Sequence, residues 1–253
     1  VCTGLKRNDA EIDASCGLHI HIDGRDFQSD SQKISQLLKT FLSVEDILFS
    51  TQPSSRRNNQ YCRPLFKKYL FKDFNLKRLD TLERKWYKTT DKHNIDGYKR
   101  SKYHDSRYYA INLHSLFYRG TVEIRMHAGT LSPDKIINWI NTCLTIVEYS
   151  LNNYDKDKIK SLYDSQLDEN KLKAFFDIFK MSKNLEKYVY SNVKRFNGNF
   201  KYQLKKPTRR PTPVVEEQDL NELEGVPGRY VYGTPSMQAP RTWSIDHLTG
   251  EDD

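Results

Sequence analysis

The spacing of hydrophobic and polar positions changes period several times along the chain. Ser15 to Asp23 alternates strictly, with Leu18, Ile20 and Ile22 set against His19, His21 and Asp23, which predicts a half-buried strand. From Asp30 the apolar residues Ile34, Leu37, Leu38, Phe41, Val44 and Leu48 recur three and four apart, so an amphipathic helix follows and ends at Pro53 and Ser54. Residues 56–78 mix cations with Tyr61, Phe66, Tyr69, Phe71 and Phe74 without a clean period, and are expected to be irregular with short strands. A short helix from Leu76 to Tyr87 and a polar loop from Thr89 to Asp105 come next. Arg107 to Leu113 and Gly120 to His127 read as a strand pair joined through residues 116–120. Ser132-Pro133-Asp134 opens a helix, with a capping hydroxyl, proline at the first position and an acid in the first turn, that runs to about Leu151. Helices at 169–181 and 184–196 precede the break at Asn197-Gly198-Asn199.

These elements predict an α+β domain over residues 1–200, a curved, mainly antiparallel sheet with helices packed on its outer face. Residues 201–253 hold six of the nine prolines and no sustained period, the pattern of an extended or disordered tail.

Composition adds limits. With 253 residues the chain can bury a core that needs neither disulfides nor a structural metal. No run of about twenty apolar residues exists, so no membrane partner is expected. The four cysteines lack CxxC spacing, which points to a reducing, cytoplasmic or other intracellular compartment. Tyr outnumbers Gly, 16 to 11, and Lys, Asn and Ile abound, as in the A/T-rich genome of a phage or an organelle. The start at Val1 rather than Met suggests a fragment.

The charge of +8 is unevenly placed: residues 51–125 carry 18 Lys and Arg against seven Asp and Glu, while 201–253 carry seven against nine. The basic excess therefore belongs to an internal segment and not to a nucleic-acid-binding tail.

Three polar strand faces could meet one ligand: His19, His21 and Asp23; Arg107 and Tyr109; Glu123, Arg125 and His127. An HxH alternation alone serves as well on a solvent-facing strand. Glu-x-Arg-x-His is harder to explain that way, because strand exteriors favour Thr, Tyr and Val. It suits a site holding a cation beside an anion, with carboxylate and imidazole on a metal and Arg125 on a phosphate or carboxylate. Magnesium prefers oxygen, so the histidines would contact phosphate or mark a site tolerant of manganese. His93, His104 and His247 read as surface histidines in loops, His114 as facing either way, and Cys16, Cys62 and Cys143 as packing residues.

Four motifs occur in order: Ser-Cys-Gly-Leu-His-Ile-His-Ile-Asp from Ser15, Gln-Pro-Ser-Ser-Arg-Arg-Asn-Asn-Gln-Tyr-Cys from Gln52, Arg-Tyr-Tyr-Ala-Ile-Asn-Leu from Arg107, and Gly-Thr-Val-Glu-Ile-Arg-Met-His-Ala-Gly-Thr-Leu from Gly120. Together they resemble the amidoligase family, carboxylate–amine ligases similar to glutamine synthetase, over about Ser15 to Leu151. The resemblance implies a glutamine synthetase-like fold. It also implies an enzyme that uses ATP and Mg²⁺ (or Mn²⁺) to phosphorylate a carboxylate, which an amine then converts to an amide. Its implied residues are His19, His21 and Glu123 on metal, Glu123, Arg125 and Arg107 in catalysis, and Arg56 or Arg57 with Asn112 on nucleotide or substrate. His127 joins that binding group from its own position on the Glu-x-Arg strand. The family's usual leading strand, Glu-x-Glu after a glycine, has no counterpart before Ser15, so that part of the family pattern is expected to lie outside this sequence, to be supplied by another chain, or to have been lost together with activity.

A second reading is a non-catalytic amidoligase-like interaction protein within a larger assembly. Its 201–253 tail would lie against a macromolecular partner, and the basic 56–78 stretch would contact nucleic acid. A charged cleft for ATP and an acidic substrate accounts for that stretch with fewer assumptions. A metal-dependent hydrolase built on HxH leaves the arginines unexplained.

Overall fold

The computed structural model describes residues 1–28 and 30–198. The 201–253 segment, expected to be a tail, lies outside the described residues. Among the described residues the architecture is α+β, ten α-helices with one three-stranded antiparallel sheet. Helix α1 (Cys2–Arg7), which carries no apolar period, precedes β1 (Gly17–Asp23). Helix α2 (Ser31–Ser50) is capped by Asp30, whose carboxylate accepts from the amides of Gln32 and Lys33.

The 56–78 stretch holds no strand. After α3 (Ser54–Arg57) it forms 3-10 turns at Gln60–Cys62, Leu65–Lys67 and Phe71–Phe74. Buried acids organise them: Glu45 accepts from Leu65 N at 2.7 Å and Phe66 N at 3.3 Å, and Asp73 accepts from Leu70 N at 2.8 Å. Helix α4 (Leu79–Tyr87) follows.

The expected polar loop contains a helix, α5 (Lys92–Arg100). Asp91 caps it through His93 N, and Ile95 is buried beneath it, while Gly97 is tolerated in a helix centre with open space around it. The expected strand at Arg107 is also different. Asp105–Tyr108 is a 3-10 turn nucleated by His104, whose Nδ1 accepts from Ser106 N, and strand β2 is only Ile111–Asn112. The connection to the next strand is a helix, α6 (His114–Arg119), ended by Gly120 at φ +77°, a left-handed conformation suited to glycine.

Strand β3 (Thr121–Ala128) lies between the other two, in the order β1-β3-β2. Leu18 pairs with His127 and Ile20 with Ile124, so two residues of β3, Arg125 and Met126, oppose His19 alone. This is a β-bulge. At the far end Gly24 N donates to Gly120 O at 2.9 Å, and a Cβ at Gly24 would lie 2.5 Å from that oxygen, so only glycine lets the chains close there.

Helix α7 (Pro133–Asn152) starts where expected, with proline in its first turn, but the hydroxyl of its N-cap Ser132 makes no capping hydrogen bond. Helix α8 (Lys156–Asp164), short and largely polar, was not signalled by period; α9 (Glu169–Phe179) and α10 (Lys183–Asn197) were. Helix α2 is the centre of the packing: Ile34, Leu37, Phe41, Val44 and Leu48 are fully buried, and α7, α8 and α10 pack around it. No helix among the described residues is long and apolar enough to cross a membrane.

One buried ion pair ties α2 to α9. Asp46 Oδ2 and Lys171 Nζ are 2.7 Å apart with both side chains out of solvent, and Lys171 Nζ also donates to Ser165 O at 3.2 Å. Removing one partner leaves a buried charge alone. Lys171→Ala is expected to cost about 3–5 kcal/mol in urea unfolding, and the double change Asp46→Leu with Lys171→Met to recover most of it.

Candidate functional site

The polar face of the sheet converges on one carboxylate. Glu123, on the central strand, is 6% exposed. Its Oε1 accepts from Arg125 Nη1 at 2.5 Å and lies 3.1 Å from His19 Nδ1, while Oε2 accepts from Asn112 Nδ2 at 2.5 Å. His21 Nε2 stands 3.7 Å away, and its Nδ1 meets Thr121 Oγ1 at 2.9 Å, which in turn meets Ser115 Oγ at 3.0 Å. Residues from all three strands therefore meet here because their alternation puts them on one face.

Burial alone would raise the Glu123 carboxyl. The hydrogen bond from His19 and the charges of Arg125, His19 and His21 outweigh it and hold the group well below the ordinary carboxylate range. His19 is pushed down by burial, against the pull of Glu123, so it is neutral near pH 7. Its Nδ1 lies closer to Glu123 than to Arg125 Nη1, which is 3.4 Å away and cannot share a proton with another donor. The proton is therefore assigned to Nδ1, which donates to Glu123, and Nε2 carries a lone pair.

A second feature lies nearby. Arg56, on α3, is 2% exposed, and burial lowers its affinity for its proton. Its Nη2 donates to Arg125 O at 2.5 Å, and its Nε has no hydrogen-bond partner. Among the described residues no carboxylate pairs with it. Gly17 adjoins it: a Cβ there would meet Arg56 Nη2 at 3.0 Å and His19 Nε2 at 3.2 Å. The sequence thus places a buried guanidinium without a carboxylate partner and an imidazole nitrogen on either side of the space a side chain at Gly17 would fill. Such a group stabilises an anion far better than it stabilises itself.

Other expected site residues lie elsewhere. Arg57 turns away, with Nε on Gln52 O at 2.9 Å and Nη2 on Phe196 O of α10. Arg107, displaced from the strand, donates to Lys102 O at 3.1 Å and lies over Tyr103 and Tyr108. His127 lies beyond the bulge, donating from Nδ1 to Ala128 O at 2.6 Å, facing Tyr188 OH at 3.3 Å and packing on Trp139. Asp23 pairs with Arg25 on the surface. His104 and His114, read as surface or ambiguous, instead join Tyr87 and Tyr98 in an aromatic cluster, where His114 Nδ1 meets Tyr87 OH at 2.8 Å. Thr121 and Ser115 were missed, though Thr121 falls on the Glu123 face by period; Tyr188, 61 residues from His127, left no local signal.

His19, His21 and Glu123 come together, but both Glu123 oxygens already carry donors from this chain. Among the described residues no group of three or more His, Cys, Asp and Glu side chains is arranged to hold a metal ion. The residues as placed suit an anion better than a resident divalent cation.

The buried histidine gives a pH signature. His127 is pushed down to about 4, chiefly by burial, against an unfolded value near 6.5. Its contribution to stability is present in full above about pH 6.5 and is lost as pH falls toward 4, about 3 kcal/mol in all. The loss attached to Glu123 comes lower, below its unfolded value near 4.5. In His127→Gln the fall of the denaturation midpoint between pH 6.5 and 4.5 is expected to be shallower than in the parent, with the share of His19, His104 and His114, which burial also pushes down, and the fall below that range both persisting.

A family model described as putative amidoligase enzyme matches residues 1–147. No curated protein and no solved structure matches the chain.

Proposed function

The chain belongs to the amidoligase family, and on that premise we propose that it forms an amide bond between a carboxylate and an amine, with ATP supplying an acyl phosphate. A glutamine synthetase-like arrangement of the sheet and an intracellular setting belong to the same reading. The observation that carries it is Arg56, a buried guanidinium with an unpartnered Nε and no carboxylate pairing with it among the described residues.

Acyl-phosphate formation brings a negative phosphoryl group to a negative carboxylate, so it needs fixed positive charge where that charge gathers. In the proposal Arg56 takes an oxygen of the phosphoryl group or of the substrate carboxylate. The ATP arrives as its magnesium complex, with the metal part of the substrate. Arg125 is neutralised by Glu123, so its part is to hold the carbonyl that seats Arg56. His19 Nε2 accepts the proton that the amine loses as its nitrogen bonds to the acyl carbon and the phosphate leaves. Glu123 orients His19 through Nδ1 and steadies the imidazolium; it is a positioning residue, since both oxygens are occupied and its depressed pKa makes it a poor base.

A non-catalytic reading has one observation in its favour: the donors on Glu123 all come from this chain, so the cluster is complete without a ligand. Turnover separates the two. Incubation with MgATP, hydroxylamine and a panel of amino acids, dicarboxylates and acidic peptides is expected to yield hydroxamate and ADP with at least one carboxylate and not without it. Arg56→Ala is expected to lower kcat/KM roughly 100-fold, and His19→Gln to remove the acidic limb of the pH profile for amide formation while leaving hydroxamate formation. No carboxylate-dependent ADP across the panel would leave the interaction reading standing.

A further inference from the structure

The cations of residues 56–78 divide. Lys67, Lys72, Lys77 and Arg78 are exposed, and Arg78 pairs with Asp80. Arg56 is buried, Arg63 pairs with Asp105 and covers Tyr109, and Lys68 sits 5.1–5.7 Å from the ring centroids of Tyr69, Trp86 and Tyr109 while donating to Trp86 O.

A different set stands outward. Tyr103 is 71% exposed, with Lys102 Nζ and the Arg107 guanidinium each 5.4 Å from its ring centroid. Arg107 is also 5.4 Å from Tyr108, which meets the exposed Tyr61 edge-on at 5.2 Å. On the other side Arg100 and the exposed Tyr118 line an open notch of about 400 Å³ between α5 and α6, together with Lys99, Asp96 and Phe117. Arg100 and Lys102 form no ion pair among the described residues. Chain contacts link the set: Arg107 donates to Lys102 O, and Lys102 is two residues from Arg100.

We propose that this face binds single-stranded nucleic acid, with bases stacking on Tyr61, Tyr103 and Tyr118 and phosphates held by Arg100, Lys102 and Arg107. An acidic polypeptide would use the cations and leave the ring faces idle; an apolar partner would find no exposed aliphatic side chain among the six. The pairing of Tyr103 with Lys102 and Arg107, between the outward rings of Tyr61 and Tyr118, matches a polymer that alternates planar bases with phosphates. The inference goes beyond amide-bond formation and stands without it.

The test is fluorescence anisotropy of the whole chain with a fluorescein-labelled 20-nucleotide oligouridylate at 50 and 200 mM KCl. Unlabelled oligouridylate, oligothymidylate, a 20-base-pair duplex and polyglutamate serve as competitors. Single strands are expected to compete best, with affinity falling steeply between the two salt concentrations; the tighter of the two single strands names the source, RNA or DNA. Tyr103→Ala is expected to weaken binding about fivefold or more and Tyr103→Phe to retain it. Arg100→Glu with Lys102→Glu is expected to cost at least about tenfold. These side chains are exposed, so thermal melting is expected to stay unchanged. No binding at 50 mM KCl, competition by polyglutamate or duplex equal to that of single strands, or a Kd unmoved by the variants would overturn the proposal.

Discussion

A charge taken out of water must be met inside, and in this chain the sheet meets it with a single acid. Glu123 sits on the central strand, where both neighbouring strands reach it, and accepts from Arg125, His19 and Asn112. Without it Arg125 would be a second uncompensated guanidinium beside Arg56, at a cost of several kcal/mol. The backbone follows from the same anchor, because Arg125 Nε donates to Tyr61 O and its carbonyl accepts from Arg56, fastening the 3-10 turn at Gln60–Cys62 and helix α3 to the strand. The irregular segment between α2 and α4 keeps its place through polar bonds of this kind and through the acids Glu45 and Asp73, more than through regular secondary structure.

Much of this was legible in the residues. Strict alternation gave β1 and β3 close to their true limits, and three-four spacing gave α2 and α7, because those elements bury one face and expose or pack another. What failed shares a cause. The strand expected from Arg107 loses its first residues to the turn Asp105–Tyr108, because a histidine side chain capping Ser106 N closes that turn, and such local side-chain to backbone bonds carry no period. Helix α5 was hidden by its polarity, since only Ile95 is buried along it.

The candidate site divides along the same line. Glu123, Arg125, His19 and His21 were found because adjacent strands bring together residues of matching parity. His127 has that parity too and still points away, since the bulge between it and Glu123 turns the strand toward Trp139 and Tyr188. Arg56 and Arg57 could not be told apart in sequence; one turn of helix sends the first under the sheet and the second to α10. The concentration of positive charge in residues 51–125 was also visible, but whether each cation faces inward or outward depends on the aromatic rings around it.

The way Arg56 is seated bears on how this chain can change. Arg125 N donates to Ala110 O at 2.8 Å, but Ala110 N donates to Arg63 O at 2.8 Å instead of returning to Arg125 O, so the carbonyl of Arg125 is left to Arg56 at the start of the short strand β2. The guanidinium is thus seated by a backbone group that a strand end leaves unpaired and not by a complementary side chain. A longer β2 that drew that carbonyl into its ladder would dislodge Arg56 with every motif residue still present.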